Sequence, residues 1–444
     1  MNVLQFLEKN NVSYNDEIRG IFYKKYIKSV EEAPNAEGKR RIILTNVSNS
    51  YNSTCPMEAE CNGLILEHDT HTNKYTVLNM PSYKSIVCKN YKQFTNSYDN
   101  YDVYKVYDGT IMNLYYYNNK WCFSTFRGYE VNNKLFYKKS YKEIFDLIAS
   151  QYYPQFSYDK LNKHKCYTFC VKYHEYHLFS SPIISDNYIY LIQSVDLNKL
   201  NNERVLDINY YEDVGVNIQE AIDKSEFSLS NLLELAHSSY NRYKNSILNK
   251  NPFKKIEEPC FGFILKTKDI NVTTGTSCIF IESYLYTCIK DILYKNIFDD
   301  SSMHDINKQD IMLYNIINVF LQYKDKKKIT ILFPRYKNVY YLMNKLTYQS
   351  VPKFIMNNIS LLNNSGNLND MVNNQKKIKY NFRGFENYEM ANSEKIKELS
   401  IKLYCFIINS NIAINHTELS EKTIIDFIHD KRFAEYFYEY FTNH

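Results

Sequence analysis

The chain has 444 residues, 44% hydrophobic and 23% charged, a balance ordinary for a globular protein, so disorder is not the default. Its net charge of +5 and pI near 8.4 permit nucleic-acid binding without requiring it. Ten scattered cysteines without a Cys-x-x-Cys pair exclude a zinc ribbon or a disulfide-framed miniprotein, and no apolar run reaches the roughly 18 residues of a bilayer span.

Taken in chain order, residues 1–30 have helical spacing and lack a signal-peptide core. The basic segment Lys39-Arg40-Arg41 leads into an apolar strand, Ile42-Ile43-Leu44. From about 60 to 130, β-type runs alternate with polar turns: Leu64–Leu66, Tyr75–Leu78, Tyr101–Tyr107, Ile111–Tyr117 and Trp121–Phe126. Asp108-Gly109, between two β-branched and aromatic runs, predicts a hairpin turn. Residues 139–153 predict a helix with Tyr141, Ile144, Phe145 and Ile148 on one face. Strands are expected at Cys166–Val171, His177–Ser180 and Tyr188–Val195, then a helix over 217–249, then strands at Phe261–Lys266 and Ser277–Ile281.

The spacing then becomes helical, over 285–324, 336–348, 393–409 and 417–441, with Ile311, Tyr314, Ile317 and Leu321 as one stripe. Lys326-Lys327-Lys328 reads as a charged break between helices, and the Asn-rich stretch 357–381 as a long loop. The expected fold class is α+β over residues 1–290, followed by an all-helical domain over 291–444. The protein is expected to be cytoplasmic and reduced, without membrane contact, so sites such as Asn271-Val272-Thr273 carry no glycan.

Forty-four tyrosines and 26 phenylalanines stand against one tryptophan and 10 glycines. An AT-rich coding sequence explains that bias, and so do stacking surfaces for unpaired bases; composition does not choose between them.

The segment Glu60-Cys61-Asn62-Gly63 is followed by Pro81-Ser82-Tyr83-Lys84-Ser85 and by Val106-Tyr107-Asp108-Gly109-Thr110. This order and spacing resemble the phage tRNA-repair RNA ligase family, with its Glu-Cys-Arg-Gly, Pro-x-x-Lys and Lys-x-Asp-Gly motifs. Tyr167-Thr168-Phe169, Gly262-Phe263-Ile264 and Ile279-Phe280-Ile281-Glu282-Ser283 extend the resemblance, which runs from about residue 38 to 290. It implies a nucleotidyltransferase fold of ATP-grasp-like antiparallel sheets with flanking helices, and a helical C-terminal domain that favours tRNA.

In such ligases a lysine amine attacks the ATP α-phosphate, further lysines stabilise phosphate charge, and carboxylates hold metal and ribose. Here the nucleophile position is Val106, and the Phe-Glu-Phe glutamate position is Thr168. The glutamate before Gly262 is Phe261, the last two lysines are Phe280 and Glu282, and the Glu-Cys-Arg-Gly arginine is Asn62. Asp108, Gly109, Gly63 and Gly262 survive as scaffold, Arg41 matches an upstream basic position, and Arg127-Gly128 matches a Lys-Gly. An amine is not replaceable by valine, so the resemblance implies a pseudo-ligase that needs no cofactor.

The implied partners are tRNA, cleaved tRNA, or a tRNA-cutting toxin. The implied context is immunity to an anticodon nuclease, as carried by AT-rich cytoplasmic killer plasmids of yeasts. Two alternatives stand beside it. One is an active RNA ligase that uses ATP and Mg, with Lys105 as a displaced nucleophile; strand alternation sets Lys105 opposite Val106 and away from the pocket. The other is a structural subunit of a viral or plasmid RNA-processing complex. Arg41, Lys105, Arg127, Lys326, Lys327, Lys328, Arg335 and Lys337 are candidate RNA contacts, with a solvated face as the competing reading of the last five. His174-Glu175-Tyr176-His177 has the wrong spacing for a helical zinc motif, and Cys166 and Cys170 read as buried strand residues.

Overall fold

The computed structural model describes residues 2–9, 16–46, 57, 60–80, 86–87, 98–136, 139–173, 187–203, 205–225, 227–248, 259–267, 278–296, 311–323, 325–363, 396, 398–404, 420–429, 434, 436–437 and 440. The chain divides into two compact units: Met1–His177 with Ile184–Cys288, and Leu178–Ile183 with Ile289–His444.

In the first unit, β1 (Ile27–Glu31), β2 (Lys39–Asn46), β3 (Asn62–Asp69) and β4 (Lys74–Asn79) form an antiparallel sheet in sequence order. Its apolar runs Ile42–Leu44 and Leu64–Leu66 are buried with Val3, Leu4 and Leu7 of α1 (Asn2–Lys9) and Ile18 and Phe22 of α2 (Asp16–Lys24). The first 30 residues are therefore not one helix. Two short helices precede a strand, and Tyr26 turns the chain between α2 and β1 with a left-handed φ of 57°.

There follow β5 (Ile86–Val87), β6 (Tyr101–Lys105), β7 (Thr110–Tyr117), β8 (Lys120–Ser124) and the short ribbon of β9 (Leu135–Phe136) and β10 (Lys139–Ser140). After helix α3 (Tyr141–Tyr152) come β11 (Lys165–Lys172), β12 (Tyr188–Asp196), β13 (Ile208–Asn209) and β14 (Asn217–Ile218). The unit continues through helix α4 (Leu229–Leu248), β15 (Gly262–Thr267), β16 (Ile279–Glu282) and the start of helix α5 (Tyr284–Asn296). One sheet has the order β13-β12-β11-β7-β8, with β14 parallel to β12; another has the order β5-β16-β15-β6.

Asp108-Gly109 is thus not a hairpin turn, because β6 and β7 belong to different sheets. The hairpin lies one strand later, between β7 and β8. There Asn118 and Asn119 take φ of 47° and 58°, the left-handed pair that a tight two-residue turn needs. Gly109 serves close approach instead: a Cβ there would lie 2.7 Å from Cys170 Sγ and 2.9 Å from the Val171 carbonyl oxygen.

Helix α3 opens with a capping box. The Glu143 amide donates to Ser140 Oγ, and the Ser140 amide donates to Glu143 Oε2 at 2.6 Å. Its Ile144, Phe145 and Ile148 are buried with Phe123 and Phe169. Helix α4 begins at Leu229 rather than 217, because Asn217–Ile218 is taken up by pairing with β12. The expected strand His177–Ser180 lies outside the described residues.

The pairing of β11 with β12 slips by one residue. Thr168 faces Gln193 and Phe169 faces Leu191, so Ile192 has no partner on β11. Ile189 and Leu191 accordingly share a core with Phe169, while Val195 shares one with Cys166.

Among its described residues the second unit is helical: α6 (Ile311–Gln322), α7 (Lys326–Leu332), α8 (Lys337–Lys345), a π turn Leu346–Ser350, α9 (Val351–Asn363), residues 398–404 and α10 (Glu421–Ile428). Ile317 and Leu321 of the expected stripe are buried and Tyr314 is half-buried. The lysine triplet does not break a helix but starts one. Asp325 caps α7 by accepting from the Lys328 amide at 3.0 Å. Helix α9 occupies the start of the stretch expected to be a loop; residues 364–381 lie outside the described residues. No helix among the described residues is long and apolar enough to cross a membrane.

Candidate functional site

The linker Val106–Gly109 carries the chain from the β6 sheet to the β7 sheet. The Val106 amide donates to the Gly262 carbonyl at 3.0 Å, which fixes the linker to β15. Beside it opens a cavity of about 360 Å³ lined by Lys105, Val106, Tyr107, Asp108, Lys172, Tyr188, Tyr190 and Phe261, among others. Lys172 arrives there because β11 alternates: Thr168, Cys170 and Lys172 share one face. Its Nζ lies 3.5 Å from Asp108 Oδ2, and its side chain is only 5% exposed.

Tyr107 stacks on Tyr190 with ring centroids 4.0 Å apart and planes at 15°. Tyr188 meets Tyr190 edge-on and donates its hydroxyl proton to the Asp108 carbonyl. Across the cavity, Asn217 Nδ2 donates to the Tyr153 hydroxyl at 2.7 Å. Burial pushes the Cys170 thiol well above its ordinary range and that of Cys166 up to about 12, so both remain unreactive thiols near neutral pH.

The structure brings several of the motif positions together. Val106, Asp108 and Phe261 line the cavity, and Gly109 abuts β11. Phe280 covers Gly262: a Cβ on that glycine, whose φ is 135°, would stand 2.8 Å from the Phe280 ring and 2.2 Å from the Ile281 oxygen. Phe261 and Phe280 both meet Tyr286 edge-on. Glu282 pairs with Gly262 in register and accepts from Thr287 Oγ1 at 3.3 Å. Thr168 is buried and donates to Asn113 Oδ1 at 3.0 Å.

Asn62 and Arg127 do not line this cavity. Asn62 opens β3, and the next residue, Gly63, leaves room for the turn after β8, since its Cβ would lie 2.8 Å from Phe126 Cα. At that turn Arg127 is exposed, with its guanidinium 4.9 Å from the Phe126 ring centroid.

Arg41 is 7% exposed and therefore not placed to meet phosphate. Its guanidinium donates to Glu32, Glu130 and the Tyr115 hydroxyl, and it lies 4.7 Å and 4.8 Å from the Tyr117 and Tyr129 rings. Lys326 is half-buried, held against the Phe320 ring and carbonyl, and burial lowers its ammonium to about 8. Lys327 and Lys337 are exposed and Lys328 is half-buried, while the Arg335 side chain and the His174–His177 segment lie outside the described residues.

Lys105 is in register with Phe263, on the α4 side of its strand; as the last strand residue it also lines the cavity with Val106. Lys172 had no local sequence signal, because its neighbour Asp108 lies 64 positions earlier in the chain. A second buried lysine, Lys266, has no local sequence signal either. Its Nζ lies 4.3 Å and 4.2 Å from the Tyr104 and Tyr210 ring centroids and 3.4 Å from both the Ile192 oxygen and Gln219 Oε1. Burial pushes its ammonium down to about 8. Among the described residues, no three His, Cys, Asp or Glu side chains are grouped to hold a metal ion.

Chemically, the cavity offers two ammonium groups, one carboxylate and a floor of stacked aromatic rings. That set suits a planar base joined to a phosphate. No protein-family model and no curated protein matches the chain.

Proposed function

We propose that this chain is an RNA-ligase-like protein without ligase activity, which binds tRNA or cleaved tRNA and so gives immunity to an anticodon nuclease in the cytoplasm. The observation that carries the reading is the composition of the Asp108 cavity. On the ligase-like reading, Val106 and Phe261 occupy the positions of an amine and a carboxylate, while Lys105 and the Tyr107–Tyr190 stack remain for phosphate and base, and Lys172 is held by Asp108. Supporting it, the ligase-like positions Val106, Asp108, Phe261, Gly262 and Phe280 gather where two sheets are joined. In this reading the body is a nucleotidyltransferase fold, and the helical C-terminal part contributes to tRNA recognition.

The test has two parts. Fluorescence anisotropy with tRNA, intact and cut in the anticodon loop, is expected to show binding that weakens steeply with salt as counterions are released. Intact mass after incubation with ATP and magnesium is expected to show no adenylate. Failure to bind tRNA, or binding that ignores salt, overturns the RNA reading.

A second reading, an ATP-dependent RNA ligase with Lys105 as nucleophile, is favoured by one observation: Lys105 lines the cavity beside Asp108. An AMP adduct mapped to Lys105 establishes it and removes the first.

A further inference from the structure

A second cavity of about 370 Å³ adjoins the first. Leu232, Leu235 and Tyr243 of α4 form one wall and Phe263 of β15 another, with Arg242 at the lining. Lys105, Tyr107 and Pro259 line both cavities, so the two hollows share a partition. The partition is held firmly: Gln219 Nε2 donates to the Lys105 carbonyl at 2.8 Å, Lys105 pairs with Phe263, and Tyr107 is stacked on Tyr190.

We infer that the paired cavities bind two successive nucleotides of unpaired RNA, one base in each, with the phosphate that joins them at Lys105. The inference rests on the RNA-binding reading and adds the form of RNA bound.

Three features carry it. The cavities are nearly equal in volume; the second is walled mainly by apolar side chains, and the first carries Tyr107, Tyr188, Tyr190 and Phe261, so each offers a surface that accepts a base face without regard to its identity. Cations lie along the pair, with Arg242 in the second cavity and Lys105 in the partition, where the phosphates of a strand would pass. Polar side chains line both: Glu220 in the second, and Asn187 and Asn217, the latter donating to the Tyr153 hydroxyl, in the first. Bases stacked in a duplex cannot separate into two hollows with a side-chain wall between them, so paired RNA is excluded from this site.

The test compares AMP, a 5′-phosphorylated diadenylate, a short single-stranded oligoribonucleotide and the same strand in a duplex, by calorimetry or competition anisotropy. The diadenylate and single strand are expected to bind at least about tenfold more tightly than AMP, because a second stacked base is added. The duplex is expected to be the weakest competitor. Leu235→Trp fills the second cavity and is expected to reduce the diadenylate to the affinity of AMP. Arg242→Gln, on the exposed side of α4, is expected to weaken the diadenylate severalfold without altering the interior.

A diadenylate that binds no better than AMP overturns the inference, as does full diadenylate affinity in Leu235→Trp with native circular dichroism. Should Leu235→Trp not fold, Arg242→Gln decides: unchanged diadenylate affinity overturns the inference. If tRNA still binds in any of those cases, the RNA reading survives alone; if wild-type protein binds no RNA, both fall.

Discussion

Arg41 in the N-terminal sheet region and Lys266 in the β15 sheet are both buried cations of the first unit, and they are held in opposite ways. Arg41 sits between carboxylates. Burial alone disfavours its charge, but the bonds to Glu32 and Tyr115 outweigh that and raise its pKa above the ordinary value. Lys266 sits between two tyrosine rings, with neutral oxygens at 3.4 Å, and burial prevails. Depth alone therefore does not settle the state of a buried cation; the acceptors that come with it do. Arg41 ties β1 and β2 to the β7–β8 hairpin through Glu32, Tyr115 and Glu130. Lys266 reaches across from β15 to the Ile192 carbonyl of β12, a link between two sheets that is weak by comparison.

The largest effect is expected from Arg41→Met. It strands Glu32 and Glu130 without their guanidinium, and urea denaturation should show a loss of about 3–5 kcal/mol. Arg41→Lys should restore only a part, because an ammonium lacks the planar fork that bridges two carboxylates. Parity of Arg41→Met with wild type would reduce the network to decoration.

Next in size is the pH response of Lys266. Its folded-state value is about 8 against an ordinary 10.5, so between those values the unfolded chain binds more protons. Stability should therefore rise with pH across that window, by up to about 1.4 kcal/mol per pH unit, with the penalty fully present below pH 8. Paired denaturation of wild type and Lys266→Met isolates it from tyrosine ionisation: the wild type should gain on the variant from pH 8 to 9.5. A flat difference would place the ammonium in a better-solvated site than the structure describes.

At pH 7.5, Lys266→Met itself should be neutral or stabilising by about 1–2 kcal/mol, since it replaces a buried charge with an apolar group of similar length. A clear loss would show that the tyrosine rings, the Ile192 oxygen and the field of Asp102 hold the charge better than its burial suggests. Smallest is Lys120→Ala. Lys120 shares Glu130 with Arg41, but its side chain is 54% exposed, so the expected change in the same denaturation experiment is below about 1 kcal/mol.

The legible part of the fold is the part written in local apolar runs and helical spacing. Leu64–Leu66, Cys166–Val171 and Tyr188–Val195 fall in strands as short apolar or aromatic runs, and Tyr141, Ile144, Phe145 and Ile148 fall on α3 through their helical spacing. Asp108-Gly109 misleads since its composition suits a turn equally well whether the flanking strands pair or part; here they join different sheets. Asn118-Asn119 carried the true turn signal in the same stretch. The triplet Lys326–Lys328 was misjudged because charge suggested a break, while Asp325 supplies the cap that lets those residues begin a helix. At the candidate site, the motif spacing singles out Val106, Asp108 and Phe261, and these three residues line one cavity. It could not locate Lys172, Tyr190 or the α4 wall, which are delivered by sheet register and by a helix more than 120 residues after Asp108.

The unpartnered Ile192 has a consequence for how this chain tolerates changes in length. Tyr188 and Tyr190 line the cavity while Ile189 and Leu191 point into a core; beyond the slip, Val195 packs with Cys166 on the other side of the sheet. The extra residue acts as a frame shift within one strand, and the two halves of β12 are written in different reading phases. Deleting it would leave every neighbouring side chain chemically intact yet turn one half of the strand inside out. Chains that share this architecture should accept many apolar or β-branched substitutes at 192 and almost no omission, so what is inherited at that position is a count rather than a side chain.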